Sequence, residues 1–298
     1  MDRESVNFYS AGHKLQGYFY MPKNPKGKVP GLVICHGFSA MIETITAGVP
    51  EALSDAGYAV LLYYSRGVGE SEGPRGRVIP MEQVDDIRNA LTYMQCRDEV
   101  DPNRVALYGS AFGCSTGVVA AAMDKRVKCF VGNVGMGDCE RWLKSERSRW
   151  DWIAFLKRLE ADRRQRVLTG KSEIVQPNEI HIPDRVAAKA RDQKWEEFRK
   201  KSGYDGYPLE TAEALIEFKP ELVIDRISPR PLMLIAMEFD VTSDVEETRS
   251  MFEKAHEPKK LVIMEGAVHY DAFKFTNPVV FEKIMKETID FYHEHLPL

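Results

Sequence analysis

Eight short apolar runs, most of them separated by segments with helical periodicity, constrain the fold of this chain more than any other feature. The runs cover residues 6–9, 15–20, 31–35, 59–64, 105–108, 129–134, 232–237 and 261–264. Between them, 81–95 places Val84, Ile87, Leu91 and Met94 at near-helical spacing, and 281–292 does so with Phe281, Ile284, Met285, Thr288 and Tyr292. Strands alternating with helices predict a mostly parallel sheet covered by helices on both faces. The near-continuous apolar runs at 31–35, 59–64 and 105–108 suit strands buried on both sides. No helix separates the first two runs, so they read as an antiparallel hairpin at the sheet edge, turning through Ser10-Ala11-Gly12.

The alternation breaks between residues 137 and 219, where helical patterns appear without strong strands. Trp152, Phe155, Leu156 and Leu159 share one helix face, and a second helical stretch covers 184–201, with Asp184 as N-cap and Gly203 as C-cap. The expected organisation is a core of residues 1–136 and 220–298, with a helical cap, 137–219, lying over one end of the sheet. Its bases (Arg141, Lys144, Arg147, Arg149, Lys157, Arg158, Arg163, Arg164 and Arg166) read first as a solvated helix face and second as an attractor of anionic substrates.

Composition narrows the function class. The 298 residues carry 41 Lys+Arg against 45 Asp+Glu, a net charge of −4, which argues against a nucleic-acid surface. No apolar run approaches the ~20 residues of a membrane helix, and the N-terminus lacks an apolar signal region. Five cysteines without a C-x-x-C suit reduced thiols and neither a disulfide framework nor a metal site. The expectation is a cytoplasmic protein without metal or cofactor, membrane or nucleic-acid partner.

The chemistry is concentrated in a few loops. Residues 105–113, Val-Ala-Leu-Tyr-Gly-Ser-Ala-Phe-Gly, run a buried strand into G-x-Ala-x-G and then a small-residue helix. A turn this sharp lifts its central side chain above the sheet at a helix N-terminus, and only glycines fit two positions to either side. That geometry serves a nucleophile, yet the central residue is Ala111, which has no nucleophilic atom. Gly113-Cys114-Ser115-Thr116-Gly117 matches G-x-S-x-G by letter, but Ser115 would fall a helical turn past the tip. Ser110 should point away from it, and Cys114 reads as a small buried residue.

Three further pieces fit the same site. His36-Gly37-Phe38 follows the 31–35 strand, and the N–H groups of Phe38 and Phe112 are candidates to hold an oxyanion. Taken alone, such a sequence is a common turn. Asp240 follows the 232–237 strand, although alone it would be only a cap for a helix near Val245. His269 sits in the glycine-containing loop after 261–264, where a lone histidine is usually a surface residue. The chain order 111, 240, 269 is the order nucleophile, acid, base, and the joint match is more specific than any single piece.

On these residues the chain resembles an α/β-hydrolase over nearly its whole length. Gly109–Gly113 is similar to the family's nucleophile elbow, His36-Gly37-Phe38 to its oxyanion loop, Asp240 to its acid and His269 to its base. Residues 64–71, Tyr-Ser-Arg-Gly-Val-Gly-Glu-Ser, look like the family's D-x-R-G-x-G-x-S loop, though no aspartate precedes Arg66. The Gly266–Tyr270 ending and the cap resemble the dienelactone-hydrolase and acyl-peptidase-like branches. The resemblance implies an eight-stranded, mostly parallel sheet flanked by helices, with the cap inserted after strand six. A rival reading of Gly67-Val68-Gly69 as a dinucleotide fingerprint lacks its third glycine, because residue 72 is Glu.

With serine at 111, His269 oriented by Asp240 would remove its proton, the Phe38 and Phe112 amides would hold the tetrahedral oxyanion, and water would release the acyl group. The substrate expected is a small-molecule carboxylic ester, lactone or thioester, with an amide or a C–C bond as the alternative. His36, Gly37, Trp150 and Trp152 are expected to contact it, Phe38 and Phe112 to line the acyl pocket, and Trp142 and Trp195 join the candidate aromatics, although aromatics at helical spacing more often pack cap to core. Ala111 leaves three readings: a serine replaced by alanine to arrest turnover, a natural homologue that binds without catalysis, and a lost aspartate nucleophile. Retention of Asp240, His269 and the oxyanion loop favours the first. The 261–264 strand and 281–292 helix near the sheet edge offer a surface for a homodimer.

Overall fold

Runs with no polar face must be covered on both sides, and Val29–Cys35, Ala59–Tyr63 and Leu232–Met237 are buried at every residue. The computed structural model describes residues 3–38, 42, 46–182 and 206–298. Its large sheet comprises β1 (Arg3–Ser10), β2 (His13–Tyr20), β3 (Val29–Cys35), β4 (Ala59–Tyr63), β5 (Val100–Ser110), β6 (Val127–Asn133), β7 (Leu232–Met237) and β8 (Lys259–Met264). Their spatial order is β1-β2-β4-β3-β5-β6-β7-β8. The longer helices among the described residues are α1 (Val49–Asp55), α2 (Pro80–Gln95), α3 (Phe112–Met123), α4 (Cys139–Ser145), α5 (Arg149–Thr169), α6 (Glu210–Ile216), α7 (Val245–Lys254) and α8 (Pro278–His295).

This is an α/β-hydrolase fold. β1 and β2 form the expected antiparallel hairpin and β2 is antiparallel to β4, whereas every pairing from β4 through β8 is parallel. Ser10 pairs with His13 across a two-residue turn in which Ala11 (φ 48°) and Gly12 (φ 82°) take the left-handed conformation that such hairpins require. β5 begins at Val100, five residues before its apolar run. Asp101, Pro102, Asn103 and Arg104 hide this start, and a register shift between the Val29 and Gly31 pairings absorbs them. α8 outruns its apolar stripe because Pro278 opens it and Asn277 caps it by accepting the Val280 N–H at 3.2 Å. Among the described residues no helix is long and apolar enough to cross a membrane.

Residues 137–219 lie between β6 and β7 and add no strand to the large sheet among the described residues. They hold α4, capped by Asp138, then α5, capped by Ser148 and ended by a left-handed Gly170, and α6. A short ribbon pairs Ile174–Val175 with Tyr207–Pro208. The expected 184–201 helix, its Gly203 cap and Trp195 lie outside the described residues. Most of the basic residues of this segment lie exposed, as a solvated face would, and several are also paired. Arg158 meets Glu173 and Glu179, Arg166 meets Asp162 and Glu213, and Arg163 and Arg164 meet Glu213 and Glu160. Charges matched in this way are not held open for an anionic substrate.

Candidate active site

Two glycines make the turn after β5 possible. A Cβ on Gly113 would lie 1.9 Å from the Cys35 carbonyl oxygen, and one on Gly109 would lie 2.5 Å from the Gly113 carbonyl oxygen. Between them Ala111 is held at φ 52°, ψ −127°, a conformation L-residues avoid. The surroundings impose it: the Ala111 N–H donates to the Asn133 carbonyl at 2.9 Å, and the Cys114 N–H donates to the Ala111 carbonyl at 2.9 Å. Such strain costs about 1–3 kcal/mol. Ala111→Gly is therefore expected to stabilise the chain by about 1 kcal/mol, net of the extra freedom glycine gives the unfolded chain. Calorimetry would read this as a rise in Tm of a few degrees, and an unchanged or lower Tm would mean the turn is unstrained.

The letter-perfect serine is occupied elsewhere. Ser115 is fully buried, donating its Oγ–H to the Met136 carbonyl at 2.8 Å and accepting the Met136 N–H at 3.0 Å. Ser110 is buried as the last residue of β5. Cys114 is no substitute nucleophile, since burial pushes its thiol up to about 12.

Asp240 and His269 meet. Asp240 lies three residues beyond β7 and His269 five beyond β8, and because β5 to β8 run parallel both stand at the same edge of the sheet as Ala111. His269 Nδ1 lies 2.8 Å from Asp240 Oδ2, with both residues buried. The other carboxylate oxygen, Oδ1, accepts the N–H groups of Thr242 at 2.8 Å and Ser243 at 2.7 Å. The helix-cap reading fails, because α7 is capped by Asp244 instead. An acceptor at Nδ1 selects the Nδ1–H tautomer and leaves Nε2 able to accept a proton; Nε2 has no partner among the described residues. The two loops are stitched together, Phe239 N–H donating to the Ala267 carbonyl at 2.9 Å and Gly266 N–H to Glu238 Oε2 at 2.7 Å.

After β3, Gly37 lies against the elbow: a Cβ built on it would stand 3.4 Å from the Ala111 Cβ. The Phe38 and Phe112 rings meet edge to face at 5.7 Å, and among the described residues neither backbone N–H has an acceptor. His36, expected to contact substrate, is instead a buried brace. Its Nδ1 reaches the Gly37 carbonyl at 2.9 Å, and its Nε2 accepts the Ser65 N–H at 3.2 Å with Ser65 Oγ at 2.8 Å. With both nitrogens engaged, none is left for a ligand. Burial pushes the imidazole below its usual value, with the Gly37 bond and the Asp86 carboxylate opposing this only in part. Below about pH 6.5 the unfolded chain binds a proton that the folded chain refuses, so His36 removes stability as pH falls and costs nothing above that range. We expect His36→Gln to flatten the fall in Tm between about pH 6.5 and pH 5; an equally steep fall in the variant would assign it to other groups.

The 64–71 loop holds a buried ion pair. Arg66 Nη2 and Nε reach Asp86 Oδ1 at 2.6 and 3.0 Å, and the Arg66 N–H donates to Asp86 Oδ2 at 3.0 Å. Burial would lower the guanidinium, but its hydrogen bonds to Asp86 hold it above its usual value. Ser71 ties the loop to β2 by accepting the Gln16 N–H at 2.9 Å while donating to the Tyr64 carbonyl at 2.6 Å. Three of the loop's amides are spent internally, Gly67 on Glu72, Val68 on Ser65 and Ser71 on Val68. With the Gly67 and Val68 amides engaged and Glu72 in place of a third glycine, the loop does not fit the dinucleotide fingerprint. Among the described residues, no group of three or more His, Cys, Asp or Glu is placed to hold a metal ion.

The tryptophans divide. Trp150, expected at the pocket, is 80% exposed, because it lies two residues (about 200° around the helix) from the buried face formed by Trp152, Phe155 and Leu159. Trp152 packs against Phe155 with centroids 6.0 Å apart, a core contact within the insertion. Trp142 is buried and donates its Nε1–H to the Thr242 carbonyl at 2.7 Å. Two aromatics not singled out in the sequence cover the oxyanion loop: Tyr207 lies 5.1 Å from Phe38 and Phe218 lies 6.0 Å from Phe112. Asp86 and Arg66 were also missed as a pair. The signal was there, since Gln83, Asp86 and Ala90 fall on the buried stripe of α2, where a carboxylate requires a partner.

Comparison with known proteins places this geometry in context. The profile of Hydrolase_4, described as serine aminopeptidase S33, matches residues 24–271. An uncharacterised 31.7 kDa protein of Escherichia coli is 26% identical over 95% of this chain and 98% of its own. The acyltransferase drtE of Aspergillus calidoustus is 27% identical over 88% and 86%, and the thiohydrolase aneE of Aspergillus aculeatus 25% over 96% and 91%. Among solved structures, the α/β hydrolase GrgF from Penicillium superposes with a TM-score of 0.79 at 25% identity, covering all of both chains.

Proposed function

Because this chain belongs to the Hydrolase_4 family, we propose that its site cleaves or transfers an acyl group, with a thioester as the substrate class and residue 111 as the nucleophile position. The observation that carries this reading is the buried Asp240–His269 pair, bonded at 2.8 Å on the sheet edge where the elbow ends. In this reading His269 Nε2 takes the proton of a hydroxyl at 111, and Asp240 holds the ring and stabilises the imidazolium that forms. The N–H groups of Phe38 and Phe112 hold the oxyanion, α3 points its positive end at it, and water or a second acceptor then releases the acyl group. The thioester class is favoured over ester, lactone, amide and C–C substrates by the name of the thiohydrolase relative, and the acyltransferase relative keeps a non-water acceptor in play.

Residues 137–219 serve as the lid in this proposal, since Tyr207 and Phe218 reach from it to the two oxyanion residues. Alanine at 111 then leaves a complete site without its attacking atom, so the chain binds an acyl substrate and does not turn it over. The test is Ala111→Ser assayed on acyl thioesters and p-nitrophenyl esters. Activity restored by serine supports the proposal, activity restored only by aspartate would redirect it to a haloalkane- or epoxide-type reaction, and no activity from either would leave a ligand-binding protein.

A further inference from the structure

The insertion also reaches the site from behind, through the turn that carries the acid. Trp142, in α4, donates its indole N–H to the Thr242 carbonyl at 2.7 Å. The Thr242 N–H in turn donates to Asp240 Oδ1 at 2.8 Å, while Asp240 Oδ2 faces His269 Nδ1 at 2.8 Å. Trp142, Thr242, Asp240 and His269 are all buried. The same helix is pinned a second time, one residue earlier. Arg141 Nε and Nη2 reach Glu247 at 2.6 and 2.7 Å, and Nη2 also reaches Glu221 at 2.9 Å. Glu247 belongs to α7, the helix that leaves the acid turn, and accepts the Gly137 and Asp138 N–H groups at 3.0 Å each, at the root of the insertion. The root of the insertion and the acid turn are therefore joined on both sides.

We propose that Trp142 is a positioning residue for the Asp240–His269 pair, a role that rests on the reading of that pair as acid and base. The carboxylate's orientation is set at Oδ1 by two consecutive N–H groups of a tight turn, so whatever holds the turn holds the carboxylate. The carbonyl that the indole caps belongs to one of those two residues. Removing the indole N–H takes away a 2.7 Å anchor from a buried carbonyl of that turn, and the turn shifts. Oδ2 then leaves its line with Nδ1. A misplacement of about 1 Å costs a rate of order 100-fold, less than the ~10⁴-fold that follows when the acid's function is lost outright.

The test reads the His269 Nδ1–H proton directly, by its low-field NMR resonance in the chain as it stands, where no nucleophile is needed. Trp142→Phe keeps a ring in place and removes the N–H. The expected result is a shifted or exchange-broadened His269 resonance. In the Ala111→Ser background we expect a kcat about 10- to 100-fold lower with KM nearly unchanged. An unchanged resonance, or a loss confined to KM, overturns the proposal. If Trp142→Phe does not fold, Asp240→Ala reads the link from the other end, because coupling is reciprocal: solvent exchange of the Trp142 indole N–H should quicken, and an unchanged rate overturns the proposal. An inactive Ala111→Ser protein would sink the acyl reading alone, since the resonance decides the positioning role by itself.

Discussion

Ala111→Ser raises the turnover of an acyl thioester by about 10⁵-fold or more over the chain as it stands. The size follows from triads acting as units, in which loss of the nucleophile alone costs a factor of about 10⁶ in kcat. In the proposed reading the site lacks only the oxygen that a serine at 111 would supply. The turn is held at φ 52° by its hydrogen bonds and by two glycines that admit no Cβ, and His269 Nδ1 already lies 2.8 Å from Asp240 Oδ2. The gain should vanish in Ala111→Ser/His269→Ala, while Ala111→Ser/Asp240→Asn retains the smaller residue expected when the histidine loses its preferred tautomer, roughly 10⁴-fold down. A fluorophosphonate probe should label the serine variant and leave the present chain unlabelled. If the serine variant is neither labelled nor active on thioesters and esters, the acyl proposal fails at its centre.

Asp86→Ala should destabilise the chain by about 3–5 kcal/mol, the cost of leaving a buried charge unpaired. In a chain of this size that corresponds to a fall in Tm of roughly 10 °C. The Asp86 side chain is fully buried and that of Arg66 is 9% exposed, so water cannot replace the lost partner. Among the described residues Arg66 would retain Ser10 Oγ at 3.1 Å and the Glu82 carbonyl at 3.2 Å, neither charged. Because the loop that Arg66 anchors supplies Ser65 to the His36 brace, the damage should reach the oxyanion loop as well. Removing both charges together, in Arg66→Met/Asp86→Leu, should recover much of the loss, because an apolar pair of similar volume carries no desolvation penalty. A double variant as unstable as Asp86→Ala would place the cost in packing and in the Arg66 N–H that loses Asp86 Oδ2, and not in charge.

Residues close in the chain or repeated at a fixed period were legible without coordinates. The two-residue hairpin turn, the doubly buried strands and the elbow's flanking glycines each follow from local sterics and from the need to hide apolar surface, and these act over a few residues. The order of Ala111, Asp240 and His269 was legible for the same reason, since each closes its own strand. Hydrogen-bond partners were not. Histidine after a strand reads alike whether it faces a ligand or, as His36 does, spends both nitrogens on Gly37 and Ser65 twenty-nine residues on. Trp150 and Trp152 differ by two letters in position and by a full helix face in environment. The stripe of α2 marks Asp86 as buried without naming Arg66 as its partner, and nothing local to Trp142 points to Thr242, a hundred residues away. Periodicity and turn chemistry are written into neighbouring residues, so the sequence determined the elements and the edge of the sheet where the candidate residues gather. Which polar atoms satisfy one another depends on distances between elements far apart in the chain, and only the folded structure decides those.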